Sequence, residues 1–194
     1  MSIAASSLFP TWSRAALGAV AVGIIMLQHG GQPAAADDAR GLAVQVSGEL
    51  VLPVGGLQQT AQVGGGARLA ATMPLRQGLD AYVAVDYARL SPRDTIDEGF
   101  GYDLVAGSLG LRLARPGRVR PYLLALMYQQ SLRLTSPGMQ VSSDGGLGLK
   151  VGAGLAVDVS TRAALVADVT YAASGASMGE LGAAMVCLGI EIAP

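Results

Sequence analysis

Apolar residues in this chain return at every second position through eight separate stretches, and between its ends the apolar face of each carries no charge. The stretches are Leu42–Leu52, Gln62–Met73, Leu79–Ala88, Asp103–Leu113, Tyr122–Ser131, Leu147–Val159, Ala163–Ala172 and Gly182–Ile192. In the first, Leu42, Val44, Val46, Leu50 and Leu52 alternate with Ala43, Gln45, Ser47, Glu49 and Val51. Side chains of an extended backbone point to alternate sides, so a sustained period of two describes strands with two different environments on their two faces. Each stretch is about 10–13 residues, against the usual 5–6 of globular strands, and matches a tilted strand that crosses a bilayer. The fifth is the least clear: Tyr122, Leu124, Leu126 and Tyr128 form its larger face, but Leu123, Ala125 and Met127 make the other nearly as apolar.

Charge decides what hydropathy leaves open. Glu49, Arg68, Asp80, Asp86, Arg112, Lys150, Asp158, Asp168 and Glu191 all fall on the less apolar face of their segments. Alternation is also expected of a β-sandwich with a dry inside and a wet outside. Here, however, the charged faces are rich in Gly and Ala, which suits a narrow lumen better than a solvated surface. Only 14% of the chain is charged, against 51% hydrophobic, at a mean hydropathy of +0.44. Soluble surfaces carry far more charge. The predicted fold is therefore all-β: a single eight-stranded, antiparallel, up-and-down transmembrane β-barrel.

Residues 1–36 read as a cleaved signal peptide, and 37–194 as the barrel domain. Arg14 precedes an apolar run from Ala15 to Leu27, and Ala34-Ala35-Ala36 supplies a small-residue cleavage site before Asp37-Asp38. The run is too short to cross a bilayer as a helix, which takes about 18 or more apolar residues. Removing it takes away Trp12 and His29, the only Trp and His of the chain. Without imidazole, His-based acid–base catalysis and His/Cys zinc sites are excluded, so no enzyme, metal site or cofactor is expected. Cys187 is the only cysteine, so no internal disulfide forms. The formal net charge of −1 gives no basic surplus for nucleic acid.

Connections add a signal of their own. Those after the second, fourth and sixth segments are short, at Leu75–Gly78, Ala114–Arg118 and Ser160–Arg162. Those after the first, third and fifth, Pro53–Ala61, Leu90–Tyr102 and Leu132–Gly146, are longer, and Ala173–Leu181 is intermediate. Short turns on one side and long loops on the other fit periplasmic and extracellular ends.

With these strands, the Arg120-Pro121-Tyr122 opening of a central strand, and Gly152-Ala153-Gly154-Leu155-Ala156-Val157-Asp158 before a tight turn, the chain resembles the small outer-membrane β-barrels of Gram-negative bacteria, the OmpA-like and OmpX-like proteins of the porin superfamily. The resemblance covers residues 41–192 and implies an outer-membrane location. It differs at the end, Ile190-Glu191-Ile192-Ala193-Pro194, where that family usually carries an aromatic residue. Tyr87, Tyr122, Tyr128 and Tyr171 are the expected membrane-interface aromatics, since tyrosine sets a wet hydroxyl on an apolar ring. The lipid A-modifying barrels of the same envelope use a histidine, and the mature chain has none.

The nine charges on the inner faces form the candidate site. An eight-stranded lumen is just wide enough for side chains to fill it. Arg68, Arg112 and Lys150 face six carboxylates there, either as a structural network that plugs the lumen or as a narrow path for ions or protons. Three functional readings stay open: a structural or surface-interaction protein of the envelope, a narrow porin-like channel, and a soluble periplasmic barrel with an apolar ligand inside. Outer-membrane lipid and lipopolysaccharide are the candidate partners. Asp94, Asp97, Glu98 and Asp103 mark an acidic loop for divalent ions or lipopolysaccharide, without EF-hand spacing. Arg76, Arg115, Arg118, Arg120 and Arg162 are placed in the short turns, within reach of inner-leaflet phosphates.

Overall fold

A computed structural model describes residues 41–93, 101–136, 139–176 and 179–193. Residues 1–36, read as the signal peptide, and Asp94, Asp97 and Glu98 of the acidic loop lie outside the described residues. Eight strands follow in chain order: β1 (Ala43–Gly55), β2 (Ala61–Arg76), β3 (Leu79–Pro92), β4 (Gly101–Ala114), β5 (Val119–Ser136), β6 (Met139–Asp158), β7 (Ala163–Ala176) and β8 (Gly179–Ile192). One short helix, α1 (Leu57–Thr60), lies between β1 and β2. Every strand pairs antiparallel with its sequence neighbours, and β1 pairs with β8 from Val44↔Ile192 to Gly55↔Leu181, so the sheet closes on itself. Closure leaves no strand with an unpaired row of N–H and C=O groups.

The two faces separate as the period of two requires. Burial along β1 alternates strictly from Ala43 to Leu52, with Gln45, Ser47, Glu49 and Val51 inside. The outside is a continuous apolar wall: Leu188 is 67% exposed, Leu149 66%, and Val46, Leu69, Leu109 and Leu123 are likewise exposed. Irregularities in the ladder have local causes. The register of β2 against β3 shifts between Pro74 and Arg76, next to a residue that has no N–H to give the ladder. The adjoining turn passes through Gly78 at φ 74°, a left-handed conformation that glycine adopts without a Cβ clash.

The tight turns and the two described chain ends, Gly41 and Ala193, share one end of the barrel, here the turn end. The opposite end differs from the loops expected there. Leu132–Gly146 is mostly ladder: β5 runs to Ser136 and β6 starts at Met139, paired through Ser136↔Met139. Ala173–Leu181 continues β7 and β8 to the pair Ala176↔Gly179, and Leu90–Tyr102 adds residues to both β3 and β4. Pro53–Ala61 contains α1. Strands therefore run 13 to 20 residues, beyond the 10–13 read from alternation. Backbone groups alone sustain this pairing, so the ladder runs on past the stretches where the sequence alternates. This is the hairpin end.

Candidate functional site

The lumen-facing residues of β3 give the order of what fills the barrel: Asp80, Tyr82, Ala84, Asp86, Ala88 and Leu90, from the turn end to the hairpin end. Two charged layers alternate with two apolar ones at these levels.

The charged layer nearer the turn end is built on Arg112 (β4) and Arg120 (β5). Arg112 donates through Nε to Asp80 at 2.9 Å and through a second nitrogen to Glu191. Arg120 donates to Asp158 at 2.9 Å and to the other oxygen of Glu191 at 3.1 Å. The Glu191 carboxylate thus bridges two guanidiniums carried by neighbouring strands. Above it lies an apolar layer with Tyr82, Ala84, Tyr122, Leu124, Leu126 and Val166.

The second charged layer is centred on Arg68 (β2). Its guanidinium meets Asp86, Asp168 at 2.9 Å and Glu49 at 3.5 Å, and one nitrogen also lies 3.9 Å from the Met185 sulfur. Lys150 reaches the other oxygen of Asp86 at 2.9 Å. Arg68, Lys150 and Asp86 are fully buried. A lone charge at such depth is prohibitive, and pairing is what makes it tolerable. The planar fork of Arg68, with its several fixed N–H directions, suits a site ringed by three carboxylates. Tyr122 ties the two layers together: its hydroxyl donates to Asp168 at 3.1 Å, and Arg112 lies over its ring at 5.4 Å from the centroid. Toward the hairpin end the lumen is mainly apolar, filled by Val51, Leu90, Leu104, Tyr128 and Met185 with Leu57 from α1.

All nine charges singled out from the sequence lie in these two layers, Glu49, Arg68, Asp86, Lys150 and Asp168 in one and Asp80, Arg112, Asp158 and Glu191 in the other. Arg120 was placed in a turn and is instead a buried member, so four cations face the six carboxylates. Of the four tyrosines assigned to the membrane interface, Tyr87 and Tyr171 are on the outer face at 48% and 47% exposure. Tyr122 and Tyr128 are corrected: at 4% and 2% exposure they point into the lumen. The two corrections have one cause. β5 has no charge between Arg120 and Arg133, so its alternation had no polarity to orient it. Arg120 sets the parity, because it shares a face with Tyr122, Leu124, Leu126 and Tyr128. The signal available was size: Tyr122 stands opposite Gly154 and Tyr128 opposite Gly148, where a ring has room. Asp103, from the acidic loop, accepts a hydrogen bond from the Tyr87 hydroxyl at 3.1 Å.

No protein-family model matches the chain, and no curated protein matches it in sequence. Solved structures do match it in fold. Neisserial surface protein A superposes with a TM-score of 0.60 at 19% identity, over 79% of this chain and 97% of that one. The outer-membrane protein OprG of Pseudomonas aeruginosa gives 0.54 at 11% identity, over 79% and 95%. The chain thus has the fold of the small outer-membrane β-barrels: all-β, eight-stranded, closed and antiparallel.

Proposed function

We propose that this chain is an integral outer-membrane barrel with a closed lumen, and that its work is structural or lies at the cell surface. The observation that carries this is the filling of the interior. Two cross-linked charged layers and two apolar layers of described residues occupy the barrel from Asp80 to Leu90, and a cavity opens at the turn end. A porin-like path needs a continuous wet cross-section, and the burial of Arg68, Tyr82 and Leu104 across the lumen supports a closed barrel instead. The outward apolar wall supports membrane insertion over the soluble reading, which needs its large aliphatic residues inside. Residues 1–36 serve in this reading as the export signal, and the turn end faces the periplasm.

The hairpin end is then the extracellular one, and its outer rim supports contact with lipopolysaccharide. Arg89, Asp103 and Arg133 stand side by side on β3, β4 and β5 as cross-strand partners, with both arginines exposed just beyond Tyr87. Guanidiniums at the upper border of an apolar belt suit the phosphates of an outer-leaflet glycolipid.

Planar-bilayer recording of the purified, refolded barrel tests the proposal. Folded protein in the bilayer without discrete conductance steps is the expected result. Reproducible steps that disappear with the heat-modified form would replace the closed barrel by a channel.

A further inference from the structure

We propose that the turn end of the barrel is a binding site for a small oxyanion carrying two or more negative charges, of the phosphate or pyrophosphate class. The lumen opens there into a cavity of about 410 Å³, a volume within the usual range for small-molecule sites. Its floor is the Arg112–Arg120 layer, and its rim carries Arg76, Arg115 and Arg162 from three different turns. Three carboxylates also line it, Asp80, Asp158 and Glu191, and each is already held by a guanidinium: Asp80 by Arg112, Asp158 by Arg120, Glu191 by both. The three rim arginines are exposed and form no ion pair with any described residue. The floor's three acids share two guanidiniums and stay one charge negative, and the three rim arginines turn the cavity as a whole positive.

A second observation lies deeper. Arg120 is more than nine-tenths buried, lines the cavity, and its Nε has no acceptor. That nitrogen is closed off from the open space, so a bound oxyanion is held by the exposed rim arginines, while Arg120 serves the site by holding the floor acids Asp158 and Glu191. Arginine is the suitable rim residue because its fork binds phosphate oxygens in pairs. The same chemistry has two sources at this end: a free anion from the aqueous phase, or the phosphate of a phospholipid headgroup folded in over a turn.

The test is made on the full barrel refolded in an uncharged detergent. Sodium pyrophosphate is titrated against sodium chloride of equal ionic strength, and the readout is the midpoint temperature at which the fast-migrating folded band is lost. The expected result is a saturable rise with pyrophosphate alone. Arg76→Gln, Arg115→Gln and Arg162→Gln combined should raise the half-saturating concentration at least about tenfold, corresponding to ~1.4 kcal/mol. Arg93→Gln, exposed at the other end and bonded to the Gln58 carbonyl, should leave it unchanged. Phosphatidylcholine vesicles with and without phosphatidylglycerol separate the sources. Stabilisation by phosphatidylglycerol that removes the pyrophosphate response identifies the headgroup, and an equal response in both vesicles identifies the free anion. No rise beyond chloride, or an unchanged half-saturation in the triple variant, overturns the site.

Discussion

The ring of Tyr122 lies across Gly154, its direct partner on the neighbouring strand, in the space that a side chain at 154 would occupy. A Cβ built on Gly154 overlaps the ring, and one built on Gly148 overlaps Tyr128 in the same way. These glycines make room for the rings, and Tyr122 is thereby held where it reaches both Asp168 and Arg112. Gly154→Ala should cost about 1–3 kcal/mol, the usual penalty for overpacking. It is checked as a lower heat-modification midpoint or an earlier urea transition. Gly107 has nothing within reach of an added Cβ, so Gly107→Ala is the control and should be neutral or slightly favourable.

Arg68 meets three carboxylates at full burial. Arg68→Met leaves Glu49 and Asp168 without their cation and should cost about 3–5 kcal/mol, the range for breaking a buried pair by removing one partner. Lys150→Met leaves Asp86 still held by Arg68 and should cost less. Urea titration of the folded band measures both. Equal losses would mean that Arg68 is not the centre of its layer.

The face assignments are open to chemical readout. Cys187 is buried beside Glu49, so a polar maleimide should leave the folded barrel unlabelled and label the denatured chain fully. On β5, Leu123→Trp in the barrel domain, residues 37–194, which has no other Trp, should fluoresce as a lipid-exposed indole and be quenched by brominated lipid. Absence of quenching would invert the strand and return Tyr122 and Tyr128 to the outside.

The rim arginines at the hairpin end make a separate claim on lipid. Arg89→Glu with Arg133→Glu should reduce lipopolysaccharide retained through purification. Both sites are exposed, so stability should change by no more than about 0.5 kcal/mol each. Retention measured at rising salt gives the check, since contacts to phosphate weaken as ionic strength rises.

Where a strand carried a charge in its middle, its faces were legible in the sequence. Glu49 oriented β1, Arg68 β2, Asp86 β3, Arg112 β4, Lys150 β6 and Asp168 β7, because side-chain direction has a period of two and one anchored residue fixes the rest. β5 had no such anchor between Arg120 and Arg133, so reading Arg120 as a turn residue displaced Tyr122 and Tyr128 as well. The hairpin ends of β5 and β6 were hidden for another reason. Ser131, Arg133, Thr135 and their partners Asp144, Ser142 and Gln140 look like loop composition, yet the ladder between them needs only backbone groups. The individual ion pairs were beyond the sequence, since the way Asp86 is shared between Arg68 and Lys150 depends on barrel closure.

The seam from Val44↔Ile192 to Gly55↔Leu181 joins the two strands that lie farthest apart along the chain. However many strands have already paired, every earlier stage of assembly presents two raw edges, and only the last zipping step removes both at once. Until β8 arrives, Glu49 lacks the wall that carries Cys187, and the guanidiniums of Arg112 and Arg120 lack the Glu191 that joins them. The charged interior is therefore completed by the same event that seals the wall, and a chain cut short before β8 loses its plug and its perimeter together.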